Sequence, residues 1–196
     1  MKDSRLRRLT TPAKIQDFLN AIPFNFEKNG PELSSPLATI QKNRAHCFEG
    51  ALLGAYLLQQ INIKPYLVHL KARKPDYDHV ITVFKIGTLW GALSKTNHAV
   101  LRYREPLYTS VRELVMSYFH EYFLDNGTKT LESYSDPLDL DLFEDDWTNT
   151  DESLWGIDEE LDRIKHHTLV PAWYRRKLRK ADPVERTAGK VVEYEH

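Results

Sequence analysis

Hydrophobic and polar positions along this chain switch between a helical and a strand period, and the switches mark its elements. Ile15, Phe18, Leu19 and Ile22 recur at 3.6-residue spacing, with Thr11-Pro12 ahead as N-cap and first helical position and Pro23 as the stop. The polar run Gln41 to His46 then gives way to the small, apolar run Gly50-Ala51-Leu52-Leu53-Gly54-Ala55-Tyr56-Leu57-Leu58, so the junction at Cys47 reads as the first turn of a helix. Ile61 to Leu70 reads as a helix exit, a proline-bounded turn and a short strand. After a polar loop over Lys71 to Asp76, His79 opens a second strand through Val80-Ile81-Thr82-Val83-Phe84-Lys85-Ile86. A Gly87 turn and a third strand ending at Ser94 follow, giving a helix and then an antiparallel meander. Beyond a turn, a short strand carries Arg102 and Arg104 on one face, a pair that suits a substrate carboxylate or the acidic residues downstream. Ser110-Val111-Arg112-Glu113 is a capping-box pattern ahead of Leu114, Tyr118, Phe119, Tyr122 and Phe123, predicting a helix that Gly127 ends.

Cysteine usage adds chemistry to this layout. Cys47 is the single cysteine of 196 residues, so no intramolecular disulfide forms. A thiol in a first helical turn meets unpaired backbone N–H groups and the positive end of the helix dipole, both of which favour the thiolate. His79 stands 32 residues further on, at the head of a strand. A helix-start cysteine with a strand histidine fits a nucleophile and its base, against the alternative of a small buried core cysteine. Gly50 and Gly54 form one stripe on the cysteine helix. Glycine costs about 1 kcal/mol against alanine there, so something approaches closely, most simply the His79 strand. Asp78 neighbours His79 on that strand and points to its opposite face. A metal site from His46, Cys47, His79 and His98 is disfavoured, because adjacent helical residues diverge by about 100°. The spacings of a zinc site are also missing, and neither metal nor cofactor is expected.

Taken together, Arg44-Ala45-His46-Cys47, the Ala/Leu-rich helix, the exit Asn62-Ile63-Lys64-Pro65-Tyr66, and His79 with Trp90 eleven residues later resemble the transglutaminase-like branch of the papain-like cysteine enzymes, over about Ile40 to Ser94. The resemblance implies an α+β, papain-like fold, with N-terminal helices packed on an antiparallel sheet. It also implies a Cys47 nucleophile with His79 as base. An aspartate stands four residues after the tryptophan in that family, where this chain has Ser94. A carboxylate supports an imidazolium by charge, whereas a hydroxyl offers one hydrogen bond. Ser94 or Asn97 would orient the ring, Asn97 by analogy with the orienting side-chain amide of some papain-like enzymes. Gln41, six residues before the cysteine, lies at the offset of the papain-like oxyanion glutamine, and the Cys47 N–H is a second donor. The implied activity is amide or ester hydrolysis, or transamidation, on a peptide, amide or small-molecule acyl substrate. The competing reading is a non-catalytic binding or scaffolding module of the same fold; the missing aspartate favours it, and the retained Cys, His and Trp favour the enzyme.

Length and hydrophobic content, 196 residues and 41%, suit a globular core domain over 1–135 with a C-terminal helical extension over 136–196. That extension is segregated by charge: Asp136 to Asp162 holds twelve acidic residues and no Lys or Arg, and Arg163 to Lys180 seven Lys or Arg and no acid. Such blocks form solvated faces or pair with each other, with Arg175 to Lys180 a candidate binding segment. Asp139, Asp141, Glu144, Asp145 and Asp146 lack the glycine and terminal glutamate of a calcium loop. A net charge of −1 gives no general attraction to nucleic acid. No run approaches eighteen apolar residues, and Met1 to Arg8 lacks the apolar stretch of a secretory signal. These features lead to the expectation of a soluble, cytoplasmic protein without a membrane partner; the oligomeric state is left open.

Overall fold

The structure is a computed structural model that describes residues 5–28, 30–143 and 146–193. Met1 to Ser4 of the N-terminal run, and Glu144 and Asp145 of the acidic block, lie outside the described residues. The fold is α+β. Its helices are α1 (Pro12–Ala21), α2 (Pro36–Lys42), α3 (Cys47–Gln60), α4 (Val111–Met116), α5 (Trp155–Arg163) and α6 (Pro183–Gly189). Its strands are β1 (Pro65–Ala72), β2 (His79–Ile86), β3 (Leu89–Leu93), β4 (Arg104–Tyr108), β5 (Leu131–Ser135) and β6 (His166–Thr168). They form one antiparallel sheet in the order β4-β3-β2-β1-β5-β6.

Local chemistry accounts for the N-terminal helices. Thr11 Oγ1 accepts from the Lys14 N–H at 3.3 Å and Pro12 starts α1, whose Ile15 and Leu19 are fully buried. Ser35 and Pro36 do the same for α2, and Asn43 ends it in the left-handed region at φ 49°. This helix replaces the polar loop expected around Gln41.

Helix α3 is apolar on nearly all sides and sits at the centre of the molecule, as such a helix must. Phe48, Ala51, Leu52 and Ala55 enter one apolar cluster with Leu67 and Val80. Leu53, Leu57 and Leu58 enter another with Ile15, Leu19, Phe84 and Leu93. The glycine stripe does receive a close neighbour, but chiefly β3 and its exit rather than the His79 strand. A Cβ on Gly50 would stand 2.2 Å from Lys95 Cβ, and one on Gly54 would stand 3.1 Å from Leu93 and 3.3 Å from Thr82 Oγ1.

The capping-box helix is shorter than its apolar spacing predicts. Ser110 Oγ accepts from the Glu113 N–H at 3.1 Å, but α4 ends at Met116 and the chain continues in tight turns. Ser117 Oγ turns back on the Leu114 carbonyl at 2.6 Å, and Arg104 takes both Ser117 Oγ at 2.8 Å and the Ser117 carbonyl at 3.3 Å. Beyond Met116 the backbone bonds shorten to i→i−3, with the Tyr118 N–H on the Val115 carbonyl at 3.0 Å and the Phe119 N–H on the Met116 carbonyl at 3.2 Å, so the α-helical ladder stops. Tyr118, Phe119 and Tyr122 still reach the core through the turns.

The chain beyond residue 135 is built into the same body. Leu138 bridges to Leu67, and β6 extends the sheet along β5. Leu140, Trp147, Ile157 and Leu161 share a cluster with Phe48 and Leu52. By contrast α6 buries no side chain. The charged blocks pair mainly with other segments: Lys64 with Asp139 at 2.7 Å, Lys71 with Asp162 at 2.9 Å, Arg175 with Glu132 at 3.2 Å and Arg179 with Asp182 at 3.5 Å. Arg163 with Glu160 is a contact between the two blocks themselves. Arg102 and Arg104 meet neither block, because Glu193 and Glu121 take them, at 3.8 and 2.7 Å. Among the described residues no helix is long and apolar enough to cross a membrane.

Candidate active site

The start of α3 is fixed by its own sequence. The Ala45 N–H donates to the Pro23 carbonyl at 3.1 Å and the Asn25 N–H to the Ala45 carbonyl at 3.0 Å, holding the chain extended up to the cap. His46 is the N-cap: its Nδ1 accepts from the Glu49 N–H at 3.4 Å, while Glu49 Oε2 accepts from the His46 N–H at 3.1 Å. This is a capping box with an imidazole in place of the usual hydroxyl. Asn25 Nδ2 donates to the same carboxylate at 3.1 Å. Cys47 therefore occupies the first helical position.

Two opposed effects act on its sulfur. The N–H groups of Val80, Phe48 and Cys47 itself are directed at it and favour the thiolate. Burial is larger and pushes the thiol up, and the nearby Glu27 carboxylate adds to it. Cys47 keeps a partial opening to solvent, but desolvation outweighs the helix start, and the low-pKa thiol expected from position alone does not arise.

His79 is the first residue of β2 and only 6% exposed. Burial pulls its imidazole down to about 4, with His98, His46 and His69 contributing repulsion. Cys47 and His79 line the same cavity of about 770 Å³, and the thiol lies against the N–H of Val80, the residue after His79. His79 Nε2 is 2.8 Å from Ser94 Oγ, and the Ser94 hydroxyl lies 2.5 Å from the Leu101 carbonyl. A carbonyl only accepts, so the hydroxyl proton points there and Ser94 Oγ accepts from His79 Nε2–H. Nδ1 is then the basic nitrogen of the ring. Ser94 is itself clamped: Gln16 Nε2 donates to its carbonyl at 2.8 Å, and its N–H donates to Gln16 Oε1 at 2.9 Å. The Ser94 N–H only donates and its carbonyl only accepts, which fixes the two ends of the Gln16 amide, and Asn20 Oδ1 accepts from Gln16 Nε2 at 2.8 Å.

The remaining expected residues are placed as follows. Asn97 lines the cavity, but its carbonyl accepts from the Glu193 N–H at 2.6 Å and the imidazole partner is Ser94. Gln41 is exposed on α2 and does not line the cavity, so it is not placed to donate to an oxyanion there. Trp90 lies at the other end of the hairpin, with Lys85 Nζ 4.5 Å above its ring and Tyr66 edge-on at 6.0 Å. Asp78 turns away from His79, accepting from the Ala72 N–H at 2.7 Å and standing 3.5 Å from His69 Nε2. Among the described residues no group of three or more His, Cys, Asp or Glu is arranged to hold a metal ion.

Sequence reasoning missed Gln16, Asn20 and Glu121. Gln16 is polar yet buried, and its signal in the sequence is a position four before Asn20, where the two amides meet. Tyr122, part of the apolar core, also lines the cavity and donates its hydroxyl to the Tyr77 carbonyl. Cys47 and His79 line one cavity, and the neutral imidazole is the protonation state that a general base requires. In comparisons with known proteins, no family model and no curated protein matches this chain.

Proposed function

We propose that this chain is a cysteine-dependent acyl-transfer protein with a papain-like, transglutaminase-like fold. Its substrate is a peptide, amide or small acyl compound, and a reducing cytoplasmic setting suits its single free thiol. Cys47 Sγ attacks the acyl carbon and its proton passes to His79 Nδ1. The tetrahedral adduct collapses, the leaving amine or alcohol takes that proton, and an acyl-Cys47 thioester remains. Water or an amine then attacks the thioester, giving its proton to His79, which returns it to the departing sulfur. The N–H groups of Cys47 and Phe48, which have no intrahelical acceptor and face the sulfur before attack, are the oxyanion donors once the sulfur is bonded to carbon.

The observation that carries this reading is the His79 Nε2 to Ser94 Oγ contact of 2.8 Å, with the serine hydroxyl already committed to the Leu101 carbonyl. It supplies a ring orienter without a carboxylate. The non-catalytic reading draws on a different observation: burial moves thiol and imidazole alike away from their charged forms. Intact-mass measurement after mixing with p-nitrophenyl acetate separates the two. An acetyl group on Cys47, abolished in Cys47→Ala and strongly slowed in His79→Ala, is expected; an unmodified Cys47 selects the binding module. Adding a primary amine then distinguishes transamidation from hydrolysis.

A further inference from the structure

A serine beside an imidazole is ambiguous, because its hydroxyl can donate to a ring nitrogen or accept from a ring N–H. Where the third residue is a carboxylate the direction is fixed by chemistry; here it must be fixed by the surroundings. Two sets of contacts do so. The first is the carbonyl of Leu101, 2.5 Å from Ser94 Oγ. Leu101 has φ 59°, a left-handed conformation that leucine seldom adopts. Its N–H donates to Glu121 Oε2 at 2.8 Å, and Glu121 Oε1 accepts from Arg104 Nη2 at 2.7 Å. Arg104 is in turn seated 4.1 Å over the Tyr118 ring and bound to Ser117. Glu121 thus holds an unfavourable backbone turn whose carbonyl receives the serine proton. The second set is the two-point Gln16 clamp on the Ser94 backbone, which sets where the side chain starts.

We propose that Glu121 and Gln16 are positioning residues that make Ser94 a hydrogen-bond acceptor and so hold His79 in the tautomer protonated on Nε2, with Nδ1 basic. Arg104, a candidate for substrate binding by sequence, acts here through Glu121. The catalytic meaning of the tautomer rests on the acyl-transfer reading; the tautomer itself does not.

Long-range ¹H–¹⁵N NMR of the histidine-labelled full chain at pH 7 reads it directly, since His79, down at about 4, is neutral there. The wild type is expected to show a single Nε2–H pattern for His79. Ser94→Ala, Glu121→Ala and Gln16→Ala should each convert it to an averaged pattern. Glu121→Gln keeps an oxygen for the Leu101 N–H and should restore the single pattern. Leu161→Ala, a core change in the cluster of Phe48 and Leu52, should leave the pattern single, which separates positioning from general loosening. If Gln16→Ala does not fold, Gln16→Glu, which keeps the acceptor but loses the donor, takes its place with the same expectation. An Nδ1–H pattern in the wild type, or an unchanged Nε2–H pattern in folded Glu121→Ala and Gln16→Ala, overturns the proposal. A tautomer that shifts as expected in a protein whose Cys47 is never acylated upholds the positioning and removes the acyl-transfer reading.

Discussion

Thr82 Oγ1 donates to the carbonyl of Ala51 at 2.5 Å, joining the strand that begins at His79 to the helix that begins at Cys47. Thr82 is fully buried and Ala51 is 1% exposed, and the glycine at 54 leaves room for the contact. The bond sets how far along the helix the strand sits, and with it the relative height of thiol and imidazole. Thr82→Val keeps the shape and removes the donor. It is expected to cost about 1 kcal/mol in urea unfolding and to slow Cys47 acylation by more than that loss of stability explains. Unchanged acylation would show that apolar packing alone holds the two elements in register.

Thiol reactivity follows from desolvation. Burial raises the Cys47 thiol, and a low imidazole offers no standing positive charge to counter it. Iodoacetamide should therefore modify Cys47 slowly at pH 6. The rate should climb about tenfold per pH unit until beyond the ordinary thiol value of roughly 8.5. A rate already level between about pH 5 and 7 would mean a preformed thiolate–imidazolium pair.

His79 also makes stability pH-dependent. Its folded value of about 4 lies below its ordinary 6.5, so the unfolded chain binds more protons between those limits. Stability contributed by the neutral ring is complete above about pH 6.5 and falls as pH drops towards 4, by about 3 kcal/mol in all. His79→Gln should flatten that window in a series of urea midpoints. A slope that persists in the variant assigns it to other groups.

Ser94→Asp places a carboxylate next to His79 Nε2 but removes the proton given to Leu101. Charge support should lift the His79 imidazole from about 4 and speed Cys47 alkylation at neutral pH. The carboxylate would face the Leu101 carbonyl in a site 1% exposed, so a stability loss of several kcal/mol is expected as well. A folded variant with an unshifted His79 titration would show that residue 94 does not govern the ring.

What could be read from the sequence divides by the range of the forces involved. Thr11-Pro12, the small apolar run after Cys47 and the Val80 to Ile86 strand are set by neighbours a few residues apart, and each formed where its pattern placed it. The meander that follows from them put Ser94 within reach of His79. α2 has a Ser35-Pro36 start signal, but with few apolar residues in its seven positions it carries no helical period to read. The helix after Ser110 is shorter than the aromatic spacing to Tyr122 implies, because the chain after Met116 turns with i→i−3 bonds while Tyr118, Phe119 and Tyr122 still reach the core. The thiol departs from its helix-start expectation for a similar reason. Helix position is local, whereas desolvation sums over every element packed around the sulfur. Gln16 and Glu121 come to Ser94 from 78 residues before it and, through Leu101, from 27 residues after it, and no periodicity in one dimension encodes such meetings.

Helix α6 buries no side chain, yet Arg186 and Gly189 face the cavity. Its attachments include the Ala181 N–H on the Gly127 carbonyl at 2.9 Å, Arg186 Nε on the Asp125 carbonyl at 2.7 Å, and the Ala99 N–H on the Val191 carbonyl at 2.9 Å. Contacts of this kind open at a small fraction of the free energy that unseats a helix buried on all sides, such as α3. One boundary of the cavity is thus as firm as the core and another yields at little cost. If the cavity takes a ligand, this uneven wall leads to the expectation of a graded dependence of affinity on ligand size instead of a sharp size limit.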